Sequence, residues 1–385
     1  MQAGFALVEV GSVSLKNTRN ILVKNLSIAC IAGISFWLIG FGFAYGDGNS
    51  FSGGSNFALS RIDENAKGYS YAFFTFQFAF AATAANIVSG AVAERCKMFA
   101  YFVCSMILIT FVYPIAVHWV WADGWASTVL DEDSRLFGVG AIDFAGCTVV
   151  HTIGGLTALV AATFLGPRYN RFHSGSVVVL PQQSITNQTV GTLLLWFGWY
   201  GFNCGSTLTI SGSSADVAGL VAVNTTISAA ASAITATLLG WLSTKTVDVT
   251  RMNNGALAGL VSVTAGANVF TPGTAFITGI AGGLSYVGSD TVLQRLKIDD
   301  VVSASPVHLF CGIWGTLAVG LFAEPTNVND AYGTGSCGLF YQCNGNGVKQ
   351  FFANFVTILA VVSWTLLFSL SLFTALKVKL HLARN

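Results

Sequence analysis

Long apolar runs separated by short polar ones dominate the chain. The runs cover residues 1–13, 21–45, 70–93, 98–121, 139–166, 188–212, 217–243, 254–270, 273–293, 303–323 and 350–376. Most reach the roughly 20 residues that a helix needs to cross about 30 Å of hydrocarbon, so each predicts a membrane-spanning helix. The first run is different. Thirteen helical residues extend only about 20 Å, and Glu9 falls inside them. That run is either an interfacial helix or part of a span that starts earlier. It lacks the basic start and long apolar core of a signal peptide. The stretches 46–69, 122–138 and 324–349 are rich in Gly, Ser, Asn and acidic residues, as solvated loops are.

Composition agrees with the pattern. Hydrophobic residues make up 53% and charged residues 9%, against about 25% charged in a soluble domain. The 42 glycines fit a membrane helical bundle, where small residues let backbones approach closely. A net charge of +1 gives no electrostatic case for nucleic acid. Neither a metal-binding cysteine and histidine pattern, a nucleophile motif nor a nucleotide loop is present, so the sequence does not read as an enzyme and implies no cofactor. Cys30, Cys96, Cys104, Cys147, Cys204 and Cys311 lie in or beside apolar runs and read as small buried hydrophobes. Cys337 and Cys343 share an outer loop, either as a local disulfide or as two free thiols.

Basic residues set the orientation. Loops and edges following the odd-numbered runs hold Lys16, Arg19, Lys24, Arg95, Lys97, Arg168, Arg171, Lys245, Arg251, Arg295, Lys297, Lys377, Lys379 and Arg384. The other loops hold only Arg61, Lys67, Arg135 and Lys349. This bias predicts an outer N-terminus and a cytoplasmic C-terminus, with the first run counted as a span.

An ionisable side chain inside a membrane span points to function. His151 and His308 are two such residues, in the fifth and tenth runs. Each is preceded by a valine and followed by a glycine four residues on: Val150 and Gly155 in one run, Val307 and Gly312 in the other. Two five-span halves necessarily have opposite orientations, the inverted-repeat plan of many transporters. If both runs are helical throughout, His151 lies about 18 Å from the outer face and His308 about 11 Å from the inner one. Together these nearly fill the hydrocarbon thickness, so the two histidines fall at one level. Asp143 then sits about 12 Å above His151. It either stabilises a helix N-terminus or helps attract a cation from behind the pore wall.

Aromatic residues gather near the predicted outer half. Phe76 and Phe80 share a helix face, the fourth run ends with His118-Trp119-Val120-Trp121, and the sixth holds Trp199, Phe202 and Ser206. Aromatic faces attract cations, and a hydroxyl can accept a hydrogen bond from an ammonium-like ion.

These residues resemble the ammonium transporters (Amt/Mep, with Rh proteins as relatives), the Amt branch more than the Rh branch. The resemblance runs through Met1–Ala6 to Lys16–Asn20, Gly90–Arg95, Asp143–His151, Phe197–Asn203, and His308 with Gly312. It covers essentially the whole chain as a single membrane domain, residues 1–385, with pseudo-repeats at about 1–166 and 188–323 and a last helix at about 350–376. The resemblance implies an all-α polytopic membrane protein with eleven transmembrane helices, the first truncated. Two inverted five-helix repeats would surround a central pore, with one final helix added. By position, Phe76, Trp121 and Ser206 match an outer ammonium recruitment site, and Phe80 and Phe202 match a stacked gate. His151 and His308 match a twin-histidine proton relay, with Asp143 and Trp199 in support.

The implied activity is transport of ammonium or ammonia, with methylammonium as an analogue, by a homotrimer in the lipid bilayer of the plasma membrane. Two alternatives stay open: an Rh-type neutral gas channel and an ammonium sensor, or transceptor. The family's first span normally starts before the position matched by Met1, and its cytoplasmic tail extends beyond Asn385. The expectation is therefore a shortened first helix, which puts stability and trimer packing in doubt, as the missing tail does for regulation through it.

Overall fold

The computed structural model describes residues 1–63, 65–174 and 176–380, without the side chains of residues 378–380. Arg384 and the side chain of Lys379, both counted in the charge bias, lie outside that description.

The described residues are mostly helical. In chain order the helices are α1 (Gln2–Ser12), α2 (Leu15–Tyr45), α3 (Lys67–Ala91), α4 (Met98–Trp121), α5 (Cys147–Leu165) and α6 (Ile185–Gly205). They continue with α7 (Ser213–Thr244), α8 (Val249–Val263), α9 (Pro272–Arg295), α10 (Pro306–Phe322), the short α11 (Pro325–Tyr332) and α12 (Asn346–Leu380). A two-stranded hairpin pairs Phe172–His173 with Ser176–Val177. Among the described residues, six helices are individually long and apolar enough to cross a membrane: α2, α3, α4, α5, α7 and α12. The bent pair α10 and α11 makes a seventh if taken as one span.

Helix ends are set by local chemistry. Ser184 caps α6, Asp248 caps α8, and Thr271 caps α9 ahead of Pro272. Each cap side chain accepts from a backbone N–H that the first turn would otherwise leave unpaired. In α4 a π-helical turn over Leu108–Val112 precedes Pro114, whose missing N–H disrupts regular α-helical pairing.

Glycines let the helices meet backbone to backbone. A Cβ added at Gly259 or Gly279 would lie 2.3 Å or 2.4 Å from the carbonyl oxygen of Ser228. The Ser228 turn of α7 is therefore clasped between α8 and α9. A Cβ at Gly11 would come 2.5 Å from the Gln188 nitrogen, and one at Gly191 2.6 Å from the Val8 nitrogen, which seats α1 along α6.

One expected element differs. Residues 139–146 form no helix, and α5 starts only at Cys147. This segment is irregular backbone fixed by other parts of the protein. Phe144 and Ala145 donate to the carbonyls of Ala265 and Thr264. Gln350 donates to the Gly140 carbonyl, and Asn354 binds both the N–H and the carbonyl of Ile142. Non-helical backbone at membrane depth is tolerated where protein satisfies it in this way. The helical rise used to place His151 and Asp143 therefore does not hold above Cys147. The sixth and eighth apolar runs also outlast their helices, because 206–212 and 264–270 turn out of the helical path.

Candidate functional site

The two histidines meet. His151 Nδ1 lies 3.1 Å from His308 Nδ1, and the rings are 5.2 Å apart at 17°. Both side chains are buried. A hydrogen bond between two imidazole nitrogens needs one donor and one acceptor, so the contact holds one proton between the rings. His151 Nε2 has no partner.

Local structure explains how they meet. His151 sits in a π-helical turn, Cys147–Thr152, and His308 in another, Pro306–Phe310, each at the start of its helix. Gly155, four residues after His151, abuts the other histidine's turn: a Cβ there would lie 2.3 Å from the Leu309 nitrogen. Gly312, four residues after His308, abuts the first: a Cβ there would lie 2.6 Å from the Cys147 carbonyl oxygen. The matched spacing in the sequence is thus a reciprocal backbone crossing, with each glycine making room for the opposite turn.

Aromatic rings continue the line. Trp199 stacks on His151 at 5.2 Å and 13°, and its indole donates to Thr264 Oγ1 at 3.0 Å. Phe202 lies 5.7 Å from His151. Phe80 and Phe202 stack at 3.9 Å and 23°, and Phe76 lies 4.7 Å from Phe80. Trp121 meets Phe80 edge to face at 5.5 Å. Beyond the stack opens a cavity of about 320 Å³, lined in part by Phe76, Phe80, Trp121, Asp143 and Ser206. Ser206 Oγ donates to the Phe202 carbonyl at 2.9 Å, leaving its oxygen free to accept.

Asp143 reaches that cavity, but its carboxylate is held by backbone. Oδ1 accepts from Gly146 N–H, and Oδ2 from Thr148 N–H at 2.8 Å and Val149 N–H at 3.1 Å. The Asp143 carbonyl accepts the Trp121 indole N–H at 2.6 Å. Asp143 is therefore at the mouth of α5 and couples that helix start to Trp121, rather than standing two helical turns above His151.

Sequence reasoning singled out none of several other lining residues. Gln77, Asn268, Asp330 and Tyr332 also border the outer cavity. Asp330 and Tyr332 arrive on α11, from a loop whose local pattern carries no sign of its destination. Past His308, Phe5 of α1 lies 6.5 Å from the imidazole. The short first helix therefore forms wall on the other side of the pair. Cys337 and Cys343 are joined by a disulfide in the loop before α12.

Apolar helices around a buried line of aromatic and histidine side chains define an integral membrane protein. The chain belongs to the ammonium transporter family: the model described as Ammonium Transporter Family matches residues 1–384. It is 41% identical over 385 residues to a putative ammonium transporter 1 member 5 of Arabidopsis thaliana, spanning 97% of this chain and 77% of that protein. It is 42% identical over 335 residues to a putative ammonium transporter of Synechocystis, spanning 85% of this chain and 73% of that protein. Among solved structures, one titled Sensor Amt Protein superposes with a TM-score of 0.88 at 33% identity, covering all of this chain and 91% of that one. The crystal structure of Candida albicans Mep2 gives 0.84 at 27%, covering 99% and 82%.

Proposed function

We propose that this protein conducts ammonium across a membrane, taking it up as NH4+ at the outer aromatic site and passing it as NH3 along the histidine pair. The observation that carries the reading is the buried His151–His308 contact at 3.1 Å, with the stacked Phe80 and Phe202 standing between it and the open cavity that Phe80 lines. Phe76 and Trp121 offer ring faces to the cation, replacing part of its water, and Ser206 offers an oxygen. Asp143 fixes Trp121 and the start of α5, and Trp199 orients His151 by stacking. Beyond the phenylalanines a bare ion would lose its hydration with no counter-charge, a prohibitive cost. Ammonium can escape that cost by leaving its proton; potassium cannot. The shared proton of the imidazoles provides a relay, and the reading includes both fates of the proton, conduction or release outside.

At the level of architecture we propose eleven transmembrane helices, α1 to α10 with α12, in inverted halves α1–α5 and α6–α10. The reciprocal crossing at Gly155 and Gly312 supports the halves, and the basic-residue bias supports an outer N-terminus and a cytoplasmic C-terminus. A homotrimer in the plasma membrane, with one pore per chain, completes the reading on family resemblance.

The test is ammonium uptake by a cell lacking its own transporters. Cells carrying the protein are expected to grow on limiting ammonium and accumulate methylammonium, and His308→Ala is expected to lose the ammonium current or admit potassium. His308→Ala protein with unchanged current and selectivity would overturn the relay. The likeness to the Sensor Amt Protein favours a second reading, an ammonium sensor. A binding signal without flux in the same cells would select it.

A further inference from the structure

The His308 side of the histidine pair, away from the aromatic stack, holds a buried acid that no step above uses. Glu9 on α1 is 2% exposed. Its Oε2 accepts from Ser89 Oγ at 2.8 Å, and the Asn25 side chain also neighbours the carboxyl, while Oε1 makes no hydrogen bond of good geometry. With Phe5, Asn86 and His308 it lines a cavity of about 20 Å³, room for about one water-sized molecule. Asn86 Oδ1 is also buried without a partner, although the Asn86 amide donates to Gln2 Oε1. Glu9 and Asn86 thus each carry a buried acceptor without a hydrogen bond, and both residues border the one-molecule cavity; such acceptors call for an N–H or O–H donor. Lys24 is buried too, but its Nζ donates to the Ser89 carbonyl at 3.2 Å and lies 4.4 Å over the Tyr101 ring. It counters the charge of Glu9 from a distance and leaves Oε1 open.

We propose that Glu9 is the inner proton station of this path, its carboxyl giving a proton to the ammonia that arrives past His308. This rests on the reading of the pore as an ammonia conduit, and it commits that reading to proton conduction. The Glu9 O–H bond breaks and a new N–H bond forms, turning NH3 into NH4+ and leaving a carboxylate. The carboxylate regains the proton that the outer NH4+ released and that His151 and His308 carried inward. One ammonium disappears outside and one appears inside, so no further reactant is needed. A carboxyl at this place also explains why a charged residue stands on α1 at the pore rather than at the surface.

The competing role is plain ion balance for Lys24, and two variants separate the roles. Glu9→Gln keeps the size and hydrogen bonding of the side chain but cannot cycle a proton. Glu9→Gln with Lys24→Met removes both charges together, which relieves a stranded lysine and preserves folding if the single variant is unstable. The readouts, in proteoliposomes, are the ammonium-evoked current and the internal pH change driven by an NH3 gradient. Both variants are expected to keep the pH change and lose the current by about 100-fold, the scale of a positioned proton donor. Near-normal current in Glu9→Gln, or its recovery in the double variant, overturns the station. Wild-type protein that passes NH3 without current overturns it as well and leaves the conduit standing; wild-type protein with neither signal overturns the conduit itself.

Discussion

Asp143 shows how a buried charge beside an open cavity can act on the backbone that shapes it. Both carboxylate oxygens are occupied by N–H groups of the first turn of α5, where the helix dipole also favours negative charge. The same residue's carbonyl holds the Trp121 indole. Asp143→Asn replaces one acceptor oxygen with a donor that faces N–H groups. It is expected to cost about 1–2 kcal/mol, read as a lower Tm in detergent, with transport weakened as the loosened start of α5 shifts the backbone carbonyl that holds Trp121. A variant with unchanged Tm and only weakened methylammonium affinity would instead assign Asp143 a direct attraction for the cation. The sequence made both roles visible, since an acid in an apolar run is conspicuous. It could not choose between them, because the choice depends on residues 139–146 leaving the helix. That departure is enforced by Asn354 and Gln350, more than two hundred residues away.

At the scale of elements, the crossing of α5 and α10 sets the distance between the imidazoles. Gly155 has the Leu309 nitrogen where a Cβ would stand, at 2.3 Å, and backbone cannot move aside as a side-chain tip can. Gly155→Val is therefore expected to push the turn holding His308 away and break the Nδ1 contact, with ammonium flux reduced tenfold or more, on the order of the loss from a misplaced reacting group. Equal flux and an intact histidine contact in the variant's structure would refute the crossing as the device that sets the pair. The sequence carried this device in legible form, as two histidines with glycines at one offset in runs of opposite direction. Most helices were legible for a similar reason: α4 fills its run from 98 to 121, because an uninterrupted apolar stretch in a membrane has few alternatives to a helix. Glu9 was visible only as a blemish in a short run. What gives it a neighbourhood, the packing of α1 on α6 through Gly11 and Gly191, leaves no local signature.

At the scale of the whole molecule, the loops after α1, α3 and α5 and before α10 are tied by one cluster of charges. Arg168 follows α5 and binds Glu94, after α3, at 2.5 Å and Asp299, before α10, at 2.8 Å. Glu94 also accepts from Ser14 and Asn17 beside α1, and Arg95 donates to the Asp299 carbonyl. Burial by itself raises both carboxyls. The hydrogen bonds from Ser14 and Arg168 outweigh it at Glu94, and the hydrogen bonds and charge of Arg168, with the charge of Arg95, outweigh it at Asp299, so both sit below their ordinary values. A carboxylate lowered in the folded state stabilises the fold above its ordinary value and loses that contribution as pH falls through the lowered one. Thermal stability in detergent is thus expected to hold steady near neutral pH and to fall below about pH 4. Arg168→Met leaves Asp299 paired with Arg95 and Arg171 but strips Glu94 of its guanidinium partner, and is expected to cost about 3 kcal/mol at neutral pH, the low end of the penalty for stranding a buried charge. With Arg168 gone, burial at Glu94 is opposed mainly by Ser14 and Asn17, and its carboxyl rises toward protonation. The gap in Tm between wild type and variant is then expected to narrow as pH drops, since protonation relieves the variant while it weakens the wild type. A gap that stays constant from neutral to acid would mean that Arg168 joins these loops by packing alone, and that charge does not hold them together.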